Sequence, residues 1–88
     1  MTVNDLAEWM QHQLDQDGCL YQEDVVDYLV KGKEENFLRE NSDGNQVLTP
    51  SILTAFRKLN ADTVVWVKPG RYWRYRVRED EPGRDARG

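Results

Sequence analysis

Basic side chains alternate along a short stretch near the C-terminus, and guanidinium groups in such a pattern are suited to holding phosphate. Arg74 and Arg76 stand two residues apart, and Lys68 and Arg71 flank a Pro-Gly turn just before them. Successive side chains of a β-strand point to opposite faces, so Arg74 and Arg76 would share one face of a strand. Arginine binds phosphate through paired hydrogen bonds and stacks on flat rings. The pattern also fits a solvated strand face whose arginines pair with acidic helices of the same chain.

A second group of polar and basic side chains falls on one face of a predicted helix over residues 50–60. Thr49 and Pro50 mark its start, since a capping hydroxyl followed by proline at the first helical position is a typical helix beginning. The apolar residues Ile52, Phe56 and Leu59 define the inner face. The opposite, outward face carries Ser51, Thr54, Arg57 and Lys58.

The arginines lie on a predicted two-stranded hairpin, because the apolar period changes from 3.6 to 2 after this helix. A turn centred on the Pro-Gly step pairs Trp66 with Trp73 and Val64 with Tyr75. These four residues, with Val77, then form one apolar face, and the arginines lie on the other. A slip by one residue would destroy this agreement between the strands, so the register is well specified.

The first half of the chain predicts two helices and a short strand. Apolar residues at helical spacing indicate a helix over residues 3–16, which Thr2 caps. Residues 19–21 can form a short strand, and residues 22–30 indicate a second helix with an acidic start. Residues 33–48 contain a turn cluster at 41–45, and the sequence leaves open whether they pair as a hairpin or form a loop.

The order helix, short strand, helix, connector, helix and hairpin resembles the winged-helix family of helix-turn-helix domains over about residues 3–78. The second half also resembles a group of small uncharacterised bacterial and phage proteins, which implies no activity. This second resemblance rests on residues 41–45 (NSDGN), 52–59 (ILTAFRKL), 64–66 (VVW) and 72–74 (YWR). The fold expected is therefore α+β and winged-helix-like, with three main helices and a C-terminal two-stranded antiparallel wing.

The winged-helix resemblance implies duplex DNA as a partner and transcription regulation as a role. In such domains the third helix enters the major groove and the wing contacts phosphates. One departure is the long connector at 33–48, which can displace or cover the third helix. Carried over by position, the nucleic-acid-binding residues would be Ser51, Thr54, Arg57, Lys58, Lys68, Arg71, Arg74 and Arg76.

The distribution of charge favours a second class of function, a protein-interaction adaptor or a dimerisation module. The formal net charge is −4, but residues 1–48 hold eleven acidic and three basic residues, and residues 49–88 hold five acidic and nine basic ones. The acidic helices can dock a basic partner, or the basic wing of a second copy. Glu23, Asp24 and Asp27 would carry such a role, with Trp9, Tyr21 and Tyr28 as candidate interface aromatics.

Several classes of function are not expected. The one histidine, His12, lies on the predicted solvent face without nucleophile or acid partners, so we predict no enzymatic activity. The turn cluster lacks the closing glutamate of a calcium loop, and we expect no metal, no cofactor and no small-molecule substrate. No apolar run is long enough to span a membrane, and the single cysteine, Cys19, favours a reducing cytoplasmic location. We predict one domain over residues 1–78 and a disordered charged tail over residues 79–88.

Overall fold

The fold is α+β, with three α-helices and two sheets in the residues that the computed structural model describes, 1–86. In chain order the helices are α1 (Val3–Asp17), α2 (Gln22–Lys31) and α3 (Pro50–Asn60). A 3-10 turn covers Glu35–Phe37. The strands are β1 (Cys19–Tyr21), β2 (Leu38–Glu40), β3 (Gln46–Leu48), β4 (Val64–Val67), β5 (Tyr72–Tyr75) and β6 (Asp85–Ala86).

Helix α1 begins and ends where its sequence signals predict. Thr2 accepts a hydrogen bond from the backbone N–H of Asp5, whose carboxylate in turn accepts one from the N–H of Thr2. This reciprocal capping box satisfies two N–H groups that the helix itself cannot satisfy. Gly18 closes the helix in the left-handed conformation with φ 78°, which glycine adopts without steric cost. The buried face of α1 packs mainly against α3.

Replacing Thr2 with alanine is expected to lower the free energy of unfolding by about 1 kcal/mol, because the cap loses its acceptor oxygen. Thr2→Ser keeps the hydroxyl and should stay within about 0.5 kcal/mol of the parent chain. Urea unfolding followed by far-UV circular dichroism measures both variants. Equal losses for alanine and serine would contradict the capping role.

The larger sheet has the strand order β1-β5-β4-β6. The predicted hairpin register is confirmed, since Trp66 pairs with Trp73 and Val64 with Tyr75 in the antiparallel β4–β5 ladder. Strand β1 adds to the free edge of β5, also antiparallel, with Leu20 opposite Trp73. The hairpin is therefore the centre of a four-stranded sheet, and the expectation of a simple two-stranded C-terminal wing is wrong.

Residues 33–48, which the sequence left undecided, form the 3-10 turn and an antiparallel hairpin of β2 and β3. The Asn41 side chain accepts hydrogen bonds from the backbone N–H groups of Asp43 and Asn45, which fixes the turn between the strands. Strand β3 packs against α2. Phe37 and Leu48 are buried in the main core, so this connector is anchored to the body of the domain.

The segment after β5 differs from the disordered tail predicted for residues 79–88. Residues 76–84, which we call the strap, lead back to the far edge of β4, where β6 pairs with β4 in parallel. Val65 and Val67, predicted on the polar face, are 0% and 2% exposed. Arg74 shares their face by strand alternation and bonds to Asp80 of the strap, so the strap lies over this face. Residues 87–88 of the predicted tail lie outside the described residues.

Three residues predicted on the apolar face or core side are exposed instead. Tyr75 and Val77 lie at and beyond the end of β5 and are 37% and 50% exposed. Leu59 of α3 is 49% exposed, whereas Asn60 is 3% exposed. The inward face of α3 follows an i, i+4, i+8 spacing through Ile52, Phe56 and Asn60, which turns Leu59 away from the core.

A polar network explains why asparagine occupies this inward position. The Asn60 amide donates to the Gln11 side-chain oxygen at 2.8 Å, and the Gln11 amide donates to Asp15 at 3.1 Å. The Tyr75 hydroxyl also donates to Asp15. These contacts tie α1, α3 and β5 together at one end of the core.

Candidate nucleic-acid interface

The outer face of α3 is open to solvent. Ser51, Thr54, Arg57 and Lys58 are all exposed, so the β2–β3 connector does not cover them. The Ser51 hydroxyl lies 3.1 Å from that of Thr49, at the start of the helix. Arg57 and Lys58 stand in the last turn, where positive charge is favourable against the helix dipole. The helix thus presents two hydroxyls and two cations on one accessible surface.

The turn between β4 and β5 presents the remaining exposed cations of the predicted site, Lys68 and Arg71. Arg71 has a left-handed backbone with φ 54°, and its N–H donates to the carbonyl of Lys68 at 3.3 Å. Its own carbonyl accepts from the N–H of Gln22 at 3.0 Å, which ties the turn to the start of α2. The backbone of this turn is therefore held in place while its two cationic side chains extend into solvent.

The β4–β5 turn lies close to the start of β3, the strand that precedes α3. A cleft there is lined by Arg71 of the turn, Gln46 of β3 and Glu23 of α2, among others. Strand β3 leads directly into α3 through Thr49. We give the name basic face to the six exposed residues among those predicted for the site: Ser51, Thr54, Arg57, Lys58, Lys68 and Arg71.

Arg74 and Arg76, also predicted for this site, are bound within the chain. The Arg74 guanidinium donates two hydrogen bonds to the Asp80 carboxylate, at 2.8 and 2.9 Å. The Arg76 guanidinium donates to the carbonyl oxygens of Glu81 (2.9 Å) and Gly83. Both side chains hold the strap, so these two arginines pair within the chain, but with the strap and not with the acidic helices that the alternative named. A nucleic-acid site in this chain would rest on the basic face alone.

The Arg74–Asp80 pair makes the stability of the fold depend on pH in the acid range. Arg74, assisted by the N–H of Val77, lowers the pKa of Asp80 from its ordinary 3.8 to about 2. A carboxylate whose pKa is lower in the folded chain stabilises the fold above the unfolded value and loses that contribution as pH falls. The contribution of Asp80 is therefore lost between about pH 4 and pH 2.

Asp80→Asn should melt at a lower temperature than the parent chain at pH 6, and this difference should shrink steadily as pH falls from 4 to 2. Glu79→Gln, at the exposed neighbouring position, should follow the parent chain throughout. Thermal unfolding by circular dichroism at several pH values gives both curves. If the difference in melting temperature between Asp80→Asn and the parent chain stays constant down to pH 2, the Arg74–Asp80 pair does not cause the loss of stability at acid pH.

Arg84 is a residue that sequence reasoning assigned to the tail and did not connect with any site. Its guanidinium donates to the carbonyl oxygens of Asn60 (3.1 Å) and Val64 (2.8 Å) and lies 5.8 Å from the centre of the Phe56 ring. Burial, with the positive charges of Arg57 and Arg76, lowers the pKa of Arg84. A single arginine in a charged, aperiodic segment carries no sequence signal of such a contact.

Two observations bear on other classes of function. Within residues 1–86, no group of three or more His, Cys, Asp or Glu stands close enough together to hold a metal ion. No helix in the same range is both long and apolar enough to cross a membrane.

The chain folds as an α+β domain of three helices and a four-stranded sheet with both antiparallel and parallel pairs. The chain belongs to the Family of unknown function (DUF6953), whose model matches residues 2–75. The strap beyond Tyr75, β6 and Arg84 lie outside the matched residues. Comparisons with curated proteins and with solved structures gave no match.

Proposed function

We propose that this chain is a winged-helix domain that binds duplex DNA through its basic face. The observation that carries the proposal is the pairing of β1 with β5 at the edge of the β4–β5 hairpin. In this arrangement the outer face of the third helix is open to solvent. The short strand between the first two helices fastens the hairpin to the helical body. A winged-helix domain uses its third helix and the turn of its hairpin on DNA, and we assign these roles to α3 and the β4–β5 turn.

In this proposal α3 lies in the major groove. Eleven residues make a helix about 16 Å long, and the groove is about 12 Å wide, so one face of α3 can reach base edges. Arg57 is the candidate for a bidentate contact with guanine, and Ser51 and Thr54 suit either bases or phosphates. Lys58, one position further round the helix, is suited to the phosphate backbone.

The β4–β5 turn supplies the wing, with Lys68 and Arg71 as its phosphate contacts. Strand β4 begins four residues after α3 ends, so the chain passes from the proposed recognition helix directly into the hairpin. The cleft shared by Arg71 and Gln46 supports this placement.

Glu23 lines the same cleft, and its negative charge would repel DNA phosphates there. The Glu23→Gln variant should therefore bind duplex more tightly than the parent chain.

Fluorescence anisotropy with a labelled mixed-sequence duplex at 50 mM salt tests the proposal. Arg57→Gln should weaken binding about tenfold, because it removes one charge-assisted contact. Arg39→Gln, an exposed arginine on β2, is the matched control and should bind like the parent chain. If the parent chain and both variants fail to bind even at low salt, ordinary duplex DNA is excluded as the partner.

A second candidate function is docking of a basic protein surface on α1 and α2. The observation favouring it is a stacked pair of rings, Trp9 and Tyr28, with centroids 3.9 Å apart and Tyr28 39% exposed, on the acidic half of the chain. The third interface aromatic predicted, Tyr21, pairs with Tyr72 at 4.9 Å and is 43% exposed. An aromatic pair with one exposed ring, on the half of the chain that carries most of the carboxylates, is suited to a cationic partner, including the basic turn of a second copy.

Sedimentation equilibrium at rising protein concentration tests the homodimer form of this candidate. Neutralising Glu23, Asp24 and Asp27 together should shift a dimer toward monomer, since the acidic side of the contact is lost. A parent chain that stays monomeric at the highest concentration, or a triple variant that dimerises equally, would contradict it.

A further inference from the structure

A groove with an aromatic floor runs between α3, the sheet and β6, and its volume is about 280 Å³. Leu53, Trp66 and Trp73 supply apolar surface, and the two indole rings lie 4.7 Å apart. Trp66 is only half-buried and Leu53 is 37% exposed, so this surface is open to a ligand. Small-molecule pockets usually measure about 300–1,000 Å³, and the groove lies just under this range, which suits a small ligand of one or two fused rings.

Two guanidinium groups border this aromatic floor. Arg57 reaches it from α3, and Arg84 reaches it from the strand edge opposite. The described hydrogen bonds of the Arg84 guanidinium go to backbone carbonyls, which fix its position without neutralising its charge. Asp85 and Gln22 also line the groove, and Asp85 is exposed. Two cations against one carboxylate leave the groove positive.

We propose that this groove is a binding site for a planar aromatic ring that carries one anionic group. The ring would pack against Trp66 and Leu53, where flat apolar surfaces are already exposed. The anionic group would bind between Arg57 and Arg84, because guanidinium forks pair with carboxylate and phosphate oxygens. A free aromatic carboxylate and a nucleotide share this chemistry. The site does not depend on duplex binding, although Arg57 belongs to both surfaces.

Indole N–H resonances of the ¹⁵N-labelled full chain give a site-specific test. The chain has three tryptophans: Trp66 and Trp73 line the groove, whereas Trp9 stacks on Tyr28 away from it. Titration with 1-naphthoate should shift the Trp66 and Trp73 signals to saturation below about 5 mM and leave Trp9 unchanged. The neutral 1-naphthamide should bind at least about tenfold more weakly, since it lacks the charge.

Charge variants separate the anion contacts from mere apolar binding. Arg57→Gln and Arg84→Gln should each weaken naphthoate at least about tenfold without weakening the naphthamide. Arg57 is exposed, so its variant tests the site even if Arg84→Gln loosens the strap. Arg39→Gln on β2 is the control and should bind naphthoate like the parent chain.

Adenosine 5′-monophosphate and adenosine form the second arm and identify the source of the ligand. Saturation by the nucleotide alone would support the site and assign it to nucleotides, and saturation by naphthoate alone would assign it to free carboxylates. Equal binding of charged and neutral probes, equal shifts at Trp9, or no saturation by either anion would overturn the proposal. No DNA enters this assay, so its result is independent of duplex binding.

Discussion

Replacing Phe56 with alanine is expected to lower the free energy of unfolding by about 3–5 kcal/mol. The Phe56 side chain is 0% exposed and packs edge-to-face on Trp73 with ring centroids 5.1 Å apart. Its loss leaves a cavity between α3 and the sheet, and it removes the ring over which Arg84 lies. Small domains are stable by only about 5–15 kcal/mol, so this one change brings the chain close to unfolding.

Leu59→Ala on the same helix is the matched control. Leu59 is 49% exposed, so the change should cost less than about 1 kcal/mol. Urea unfolding of both variants, followed by circular dichroism and tryptophan fluorescence, gives the comparison. A Leu59 variant as destabilised as the Phe56 variant would contradict the exposed position of Leu59 on α3.

Neutralising the four cations of the basic face is expected to weaken binding to a mixed-sequence duplex at least about 100-fold at 50 mM salt. Each phosphate contact contributes about 0.9 to the slope of log affinity against log salt concentration. Loss of four contacts should therefore flatten the slope by about 3 to 4. The residues changed to glutamine are Arg57, Lys58, Lys68 and Arg71.

The control for this variant replaces the three basic residues of the acidic half, Lys31, Lys33 and Arg39, which are also exposed. Its slope should change by less than about 1, because these residues lie outside the basic face. An equal flattening by both variants would show that binding follows the total charge of the chain and involves no defined surface. That outcome would contradict the proposed interface.

The sequence predicted the parts of the fold that local periodicity specifies. The span predicted for the third helix, 50–60, and the register of the β4–β5 hairpin are confirmed. Both follow from strong local signals: a proline start with an apolar helical stripe, and two strands whose apolar faces agree in only one register. The helices predicted at 3–16 and 22–30 each extend one residue further.

What the sequence missed depends on contacts between segments distant in the chain or on single side chains. The strap is charged and has no apolar period, so nothing local indicates that Asp80 binds Arg74 or that Arg84 bonds to the backbone at Val64. Hydrogen bonds to the strap also occupy the guanidinium groups of two predicted site residues, Arg74 and Arg76. An inward asparagine at 60 likewise depends on Gln11 of a different helix, which periodicity cannot show.

The most direct test of the proposed interface is an NMR titration of the labelled full chain with a mixed-sequence duplex at low salt. The account predicts amide shifts within residues 50–60 and 68–71 that fade as salt rises. The amide signals of Arg74 and Arg76, whose side chains bond to the strap, should change little. Shifts centred on α1 and α2, or no shifts at all at low salt, would contradict DNA binding through the basic face.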